Sequence, residues 1–182
     1  MEQLEVFEFD HPATQGFKLH RIAELGWKIP SKLHFIPIDF TKESLATALI
    51  RLSYYNPKLK SFFSWLGVTY FLIKDDVLAT LQSIAEVAAK GSKVVFDYFD
   101  NEMFIPDKSS LIMQKTLEFL QNIGEPMITS FNPSTLAEDL ARLGFCLQEN
   151  LSPEDIERRY LQGCTDGYHA TDIVYFACAV VE

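Results

Sequence analysis

The sequence predicts an α/β fold in which helices cover a mostly parallel sheet. Short apolar runs alternate with segments of helical periodicity along the chain, which is the pattern of repeated βα units. Most helix candidates also end at a glycine or at a proline break, as helices followed by turns commonly do. No linker or shift in composition divides the 182 residues, so we predict a single domain over residues 1–182.

Six apolar runs are the strand candidates. The last run is apolar at nearly every position, which is typical of a strand buried on both faces and predicts an internal place in the sheet. The six candidates are Leu4 to Phe9, Leu33 to Ile38, Ser61 to Leu66, Lys93 to Tyr98, Phe145 to Leu151 and Ile173 to Val181.

Helix candidates fill the intervals between these runs. Pro12 suits the first turn of the first helix, and Gly26 can end that helix in the left-handed conformation. The spacing of apolar residues predicts the other helices. They run from Thr41 to the break at Tyr54-Tyr55-Asn56-Pro57, from Asp75 to Gly91, from Leu111 to Ile123, from Pro133 to Leu143, and onward from a capping box at Ser152-Pro153-Glu154-Asp155.

Composition and charge argue against several classes of function. A formal charge of −9 and no basic stripe argue against a nucleic-acid partner. The three cysteines lie far apart, and the four histidines show no ligand spacing, so we predict reduced thiols and no metal site. No segment resembles a membrane span or a signal peptide, which leads us to expect a cytoplasmic protein with no membrane partner.

The first strand candidate ends in two acidic residues. Glu8 and Asp10 alternate with Phe7 and Phe9, so the strand period places both carboxylates on one side and both rings on the other. In nucleotide-binding α/β folds an acidic residue at such a strand end holds ribose hydroxyls. The alternative role of Asp10 is to cap the following helix, and this role is compatible with ribose binding. No Gly-rich turn stands before this strand.

Three further strand ends carry polar or aromatic residues. The Asp39 carboxylate could hydrogen-bond an adenine amino group while the Phe40 ring packs on the face of the adenine. An Asp at this position is, however, more often a cap or turn residue. At the end of the third strand the run from Phe62 to Leu72 is rich in aromatic residues, and from this run we reserve Ser64, Trp65 and Tyr70 for a pocket. The fourth end, around Asp97, reads as a solvated loop.

Several ordered motifs together resemble one family. They are VFEFDHPATQGFK (6–18), HFIPIDF (34–40), FFSWLGVTYFL (62–72), GSKVVFDYF (91–99) and GEPMITSFNPSTLAEDLARLGF (124–145), with a further similar segment over 150–169. The chain resembles the leucine carboxyl methyltransferase-like family of S-adenosylmethionine-dependent O-methyltransferases over nearly its whole length.

The resemblance implies a doubly wound class I methyltransferase fold, whose last strand is antiparallel and inserted beside its neighbours. Asp10, with Glu8 as its neighbour, would hold the cofactor ribose. Asp39 and Phe40 would contact adenine, and Ser64 and Trp65 would lie near the methionine end of the cofactor. Where this chain has Trp65 the carboxyl methyltransferase branch has a glutamate, so the chain resembles the bacterial small-molecule branch more closely.

The same resemblance implies that the chain is truncated at its N-terminus. The first, central strand and the Gly-rich cofactor turn of the family have no counterpart here, so we expect S-adenosylmethionine to bind weakly or not at all. We expect the gap to be closed in one of two ways. Either the first strand of this chain pairs directly with the third, or a partner chain or second copy supplies a strand.

The function implied is methyl transfer to a hydroxyl or carboxyl oxygen of a small molecule. Tyr70, Arg159 and Tyr160 are the candidates for the acceptor pocket, and no catalytic residue can be named. The alternative is a non-catalytic remnant of the fold that serves binding or oligomerisation. A Rossmann-like nicotinamide enzyme is a third reading, supported by no motif beyond the acidic strand end.

Overall fold

The computed structural model describes residues 4–182, which divide into two compact units. The first unit extends to Tyr55, and the second begins at Asn56. Each unit has a sheet of its own. None of the helices in the described part of the chain is long and apolar enough to cross a membrane.

The first unit is a βαβ unit followed by a short helix. Its elements are β1 (Val6–Asp10), α1 (Pro12–Glu24), β2 (Leu33–Pro37) and α2 (Leu45–Ile50). The two strands are parallel, with Asp10 opposite Pro37. Their carboxyl ends therefore lie at the same edge of this sheet, and both predicted strands are confirmed with small shifts at their ends.

The cap of one helix and the start of another differ from prediction in this unit. Helix α1 begins at the predicted Pro12, but its N-cap is His11, whose Nδ1 accepts a hydrogen bond from the Ala13 N–H, so Asp10 does not take the capping role that the sequence allowed as an alternative. Helix α2 begins at Leu45 behind a Ser44 cap and not at Thr41. Thr41 is drawn into a turn because both its N–H and its hydroxyl donate to the Asp39 carboxylate.

The second unit contains four strands and four helices. They are β3 (Phe62–Trp65), α3 (Lys74–Val87), β4 (Lys93–Phe99), α4 (Leu111–Asn122), α5 (Leu136–Arg142), β5 (Phe145–Leu151), α6 (Pro153–Ile156) and β6 (Val174–Val181). The sheet order is β3-β4-β6-β5. Strand β6 is antiparallel to both of its neighbours, so its predicted internal place is confirmed.

The core of the second unit follows the two periodicities of its elements. Val94, Phe96 and Tyr98 alternate along β4 and are fully buried. Along α3 a stripe that includes Val77 and Leu81 is also buried. A satellite cluster of Phe99, Met103 and Ile173 is covered in part by α4.

Helix α4 has an inner and an outer side. Met113 and Leu117, one turn apart, pack on the satellite cluster. On the outer side Leu111, Ile112 and Phe119 are 75%, 79% and 61% exposed. These exposed side chains make the outer side of α4 an apolar surface open to solvent.

Strands β1 and β3 each have one described strand partner. Strand β1 pairs with β2, and β3 pairs with β4. The expected direct pairing of the first strand with the third stays a prediction. Each of the two strands leaves one edge of its own sheet open to further pairing.

Candidate functional site

The carboxyl end of β1 carries two carboxylates that share one lysine. Lys18 of α1 donates to Glu8 Oε1 and, at 2.9 Å, to Asp10 Oδ2. The predicted placement of both carboxylates on one side of the strand is thus confirmed. Phe7 lies on the other side, stacked on His34 with 5.3 Å between ring centroids.

Every oxygen of this carboxylate pair has a donor from the protein. Gln15, which is 3% exposed, donates to Glu8 Oε2 at 2.8 Å, and the His11 backbone N–H donates to Asp10 Oδ1 at 2.8 Å. The hydrogen bond with Glu8 is the main cause that raises the pKa of Lys18, and the bond with Asp10 adds to it. The lysine is therefore held in its charged form between the two acids.

Asp39 lies at the same sheet edge, just after β2. Its carboxylate accepts from Lys42 Nζ at 2.6 Å and from the N–H and hydroxyl of Thr41. These bonds, the one from Lys42 first, hold the pKa of Asp39 well below its usual range. The Nε2 atom of His11 is 4.0 Å from Asp39 Oδ2, so His11 lies between the two strand ends. Asp39 thus forms the turn that the sequence allowed as the alternative to adenine binding.

The acidic residues of this edge fit the adenosine half of a cofactor. A carboxylate oxygen can accept more than one hydrogen bond, so the single protein donor on each Asp10 oxygen leaves capacity for a ribose diol. The side chains of Asp10 and Asp39 are 27% and 19% exposed, which keeps them reachable. Phe40 is half-buried beside Asp39. Nothing in the chain has the glycine spacing of a Gly-rich cofactor turn, so the fit covers the adenosine half alone.

A second group of predicted residues lies at the end of β3 and in the turn after it, in the second unit. Trp65 is 8% exposed and Ser64 is exposed. The chain then turns at Gly67, whose φ of 75° favours glycine. The Tyr70 hydroxyl approaches this turn, 3.7 Å from where a Cβ on Gly67 would lie. Burial, and secondarily the charge of Asp97, raises the pKa of Tyr70.

Asp97 is a residue whose role the sequence did not show. It lies inside β4, within the predicted strand Lys93 to Tyr98, and is 8% exposed, so its interpretation as part of a solvated loop is wrong. Its Oδ1 accepts from the Gly67 N–H at 2.8 Å. The signal available in the sequence was its position within the apolar run of residues 94–99, where a strand continues past the carboxylate.

The other candidates for an acceptor pocket lie after β5. Arg159 binds Glu149 through both guanidinium NH groups, at 3.1 and 3.3 Å, and lies over the ring of Tyr160. Because β3 and β5 are the two edge strands of the sheet, Tyr70 and Arg159 follow strands at opposite edges. The structure thus does not bring the three predicted pocket residues together, and their role stays a prediction.

An open cleft of about 590 Å³ lies beside α6. Its walls include Glu157, Arg158 and His169. Glu157 is already engaged by the Ala170 N–H and by His169 Nδ1, at 2.8 and 3.1 Å. Among the described residues no group of three or more His, Cys, Asp or Glu side chains is placed to hold a metal ion.

Comparison with known proteins relates the chain to methyltransferases. A family model described as leucine carboxyl methyltransferase matches residues 1–85. A protein of Bacillus subtilis (strain 168), named putative S-adenosyl-L-methionine-dependent methyltransferase YktD, is 32% identical over 177 residues. The match covers 97% of this chain and 58% of the Bacillus protein, so the chain spans little more than half the length of that relative.

Solved structures of methyltransferases share the fold. The mitomycin 7-O-methyltransferase MmcR has a TM-score of 0.60 at 12% identity, over 100% of this chain and 43% of its own. The O-methyltransferase NcsB1, solved with S-adenosyl-L-homocysteine and 1,4-dihydroxy-2-naphthoic acid, has a TM-score of 0.57 at 13% identity, over 100% and 43%. Identities this low are evidence for the fold alone. The similarity to these structures confirms the predicted fold of the class I methyltransferase type.

Proposed function

From the match of residues 1–85 to the leucine carboxyl methyltransferase model and from the likeness to the Bacillus protein, we propose that the chain belongs to this family and serves S-adenosylmethionine-dependent methyl transfer to a hydroxyl or carboxyl oxygen of a small molecule. One observation supports the proposal most directly. Asp10, the last residue of β1, and Asp39, just after the parallel strand β2, lie at one sheet edge with His11 between them.

Each residue of this edge has a definite task in the proposal. Asp10 accepts hydrogen bonds from the ribose hydroxyls, and Asp39 accepts one from the adenine amino group while Phe40 packs on the ring. When bound, S-adenosylmethionine supplies an activated methyl group, so the protein's contribution is orientation and exclusion of water. Ser64 and Trp65 are proposed for the methionine end, and Tyr70, Arg159 and Tyr160 for the acceptor.

We also propose that a strand from outside these 182 residues pairs with an open edge of β1 or of β3. The open edges of these two strands support this proposal, since exposed edges readily accept a further strand. A partner chain or a second copy of this chain could supply it. The Gly-rich turn, which these 182 residues do not contain, would have to come from a partner chain of different sequence, since a second copy would not contain it either.

The test is a titration of the 182-residue chain with S-adenosylhomocysteine. Calorimetry and the backbone amide shifts in NMR spectra measure the binding. We expect weak binding, with the largest shifts at His11 and around Asp39. In Asp10→Asn the carboxylate that accepts both ribose hydroxyls is lost, and hydrogen bonds to charged groups contribute about 1.5–3 kcal/mol, so affinity should fall about tenfold or more.

Glu24→Gln is the matched control. Glu24 is an acid of the same unit whose ion pairs, with His20 and Arg21, lie at the other end of α1, so its loss should leave the affinity unchanged. Equal binding by the wild-type chain and Asp10→Asn would contradict the ribose assignment. An absence of any shift in the wild-type chain at millimolar ligand would favour the non-catalytic remnant instead.

A further inference from the structure

Lys18 contacts both acids of the proposed ribose site. It is the one side chain that bonds to Glu8 and Asp10 together among the interactions of the described residues, and its own side chain is 40% exposed. The two acids themselves are similarly exposed, at 26% and 27%. Exposure therefore does not distinguish which acid faces a ligand. The hydrogen-bond donors around each acid do distinguish them.

The donors around Glu8 tie it to helix α1. Both of its carboxylate oxygens accept from side chains of α1, Lys18 on Oε1 and the buried Gln15 on Oε2. Gln15 also donates to the Glu8 backbone oxygen at 3.3 Å. Glu8 thus joins the strand to the helix at two successive turns of α1, positions 15 and 18.

The donors around Asp10 orient it without enclosing it. Asp10 is the last residue of β1, and the backbone N–H of His11 fixes Oδ1. The Lys18 bond fixes Oδ2 and so determines the rotation of the carboxylate plane. The lone pairs that remain on both oxygens are available to a pair of vicinal hydroxyls.

We propose that Lys18 is a positioning residue that, anchored by Glu8, fixes the Asp10 carboxylate for a ribose diol. This assignment rests on the proposed function and deepens it, because it gives Glu8 a supporting role and leaves Asp10 as the ribose ligand. Without the lysine, two like charges face each other across the same side of β1, and Asp10 turns away from Glu8.

The probes must separate positioning from long-range attraction. A cationic cofactor would be drawn more strongly to a site that has lost a lysine, which would mask a loss of orientation. Adenosine and 2′,3′-dideoxyadenosine are uncharged and differ in the diol alone. Affinities in the millimolar range are read from amide shifts in NMR titrations.

In the test, Lys18→Met is compared with Lys18→Arg and with Lys32→Met. We expect Lys18→Met to weaken adenosine binding about tenfold and to leave dideoxyadenosine binding unchanged. Lys18→Arg should restore most of the adenosine affinity, since its guanidinium can bridge both acids. Lys32 pairs with Glu5 at the other end of β1, so Lys32→Met matches the charge change and should have no effect.

Unchanged adenosine affinity in Lys18→Met, with a wild-type chain that binds, would overturn the role of Lys18 and leave the proposed function standing. A wild-type chain that binds adenosine and dideoxyadenosine equally, or neither, would overturn both.

Discussion

At the scale of single residues, Asp97 shows how one buried carboxylate holds a turn. Its side chain accepts from the Gly67 N–H at 2.8 Å, and its backbone oxygen accepts from Thr69 Oγ1 at 2.6 Å. The chain after β3 is thereby tied to β4 at two points. Burial raises the pKa of the Asp97 carboxyl above its usual value of 3.8, although the Gly67 N–H opposes the change.

Substitutions of Asp97 should separate the hydrogen bond from the charge. Asp97→Ala leaves the Gly67 N–H without its acceptor, and we expect the free energy of unfolding to fall by about 1–3 kcal/mol. Asp97→Asn keeps an oxygen for that N–H and should cost less. Urea unfolding at pH 7 measures both, with Asp107→Asn in an exposed loop as the control.

The charge of Asp97 should also give stability a particular pH dependence. Because the pKa of Asp97 is raised in the folded state, folding favours the protonated form of this side chain. The contribution of Asp97 to the free energy of unfolding is therefore full below about pH 4 and is lost as pH rises through the folded pKa. Asp97→Asn carries no such proton, so its stability relative to wild type should increase across that window. A difference between the two proteins that stays constant from pH 4 to 8 would contradict the argument.

At the scale of elements, the capping box of α6 is a stabilising device that can be isolated. Ser152 Oγ accepts from the Asp155 N–H at 3.2 Å, and the Asp155 carboxylate accepts from the Ser152 N–H at 3.2 Å. We expect Ser152→Ala to lower the free energy of unfolding by about 1 kcal/mol. Thermal unfolding checks this, and Ser31→Ala, at an exposed turn, should shift the melting temperature little.

The bounds of the strands could be predicted to within two residues at each end. The run from Phe145 to Leu151 is confirmed at both ends. Helix starts were less predictable, because side chains such as Asp39 and Asn132 bind nearby N–H groups and form turns where a helix could begin. The apolar spacing did not predict that the chain continues past α6 as a π-helical turn, Glu157–Leu161, a rare conformation.

The candidate site was predictable where it depends on one strand alone. The strand period places Glu8 and Asp10 on one side, and the structure agrees. That Lys18 bridges them depends on how α1 packs against β1, which no local pattern specifies. Asp97 was missed for a similar reason, since its partner Gly67 lies thirty positions away in the chain.

At the scale of the whole molecule, the two units differ in the support of their sheets. Strands β4 and β6 each have partners on both sides, whereas β1 and β2 form a sheet of two described strands. Two-stranded sheets are only marginally stable on their own. The first unit should therefore open more readily than the second.

Amide hydrogen exchange should reveal this difference. We expect hydrogen-bonded amides of β4 and β6 to exchange more slowly than those of β1 and β2, because opening costs less free energy in the smaller sheet. NMR spectra collected after transfer to D₂O give the rates strand by strand. Equal protection in all four strands would contradict this order and would support the predicted single cooperative domain.

The outer side of α4 affects how unfolding can be followed. Leu111, Ile112 and Phe119 offer apolar dyes such as ANS a surface on the folded chain. Fluorescence from such a dye is commonly taken as a mark of a molten globule, in which buried apolar groups become accessible. For this protein the dye would fluoresce while the sheet is intact, so near-UV circular dichroism is the sounder measure of native packing.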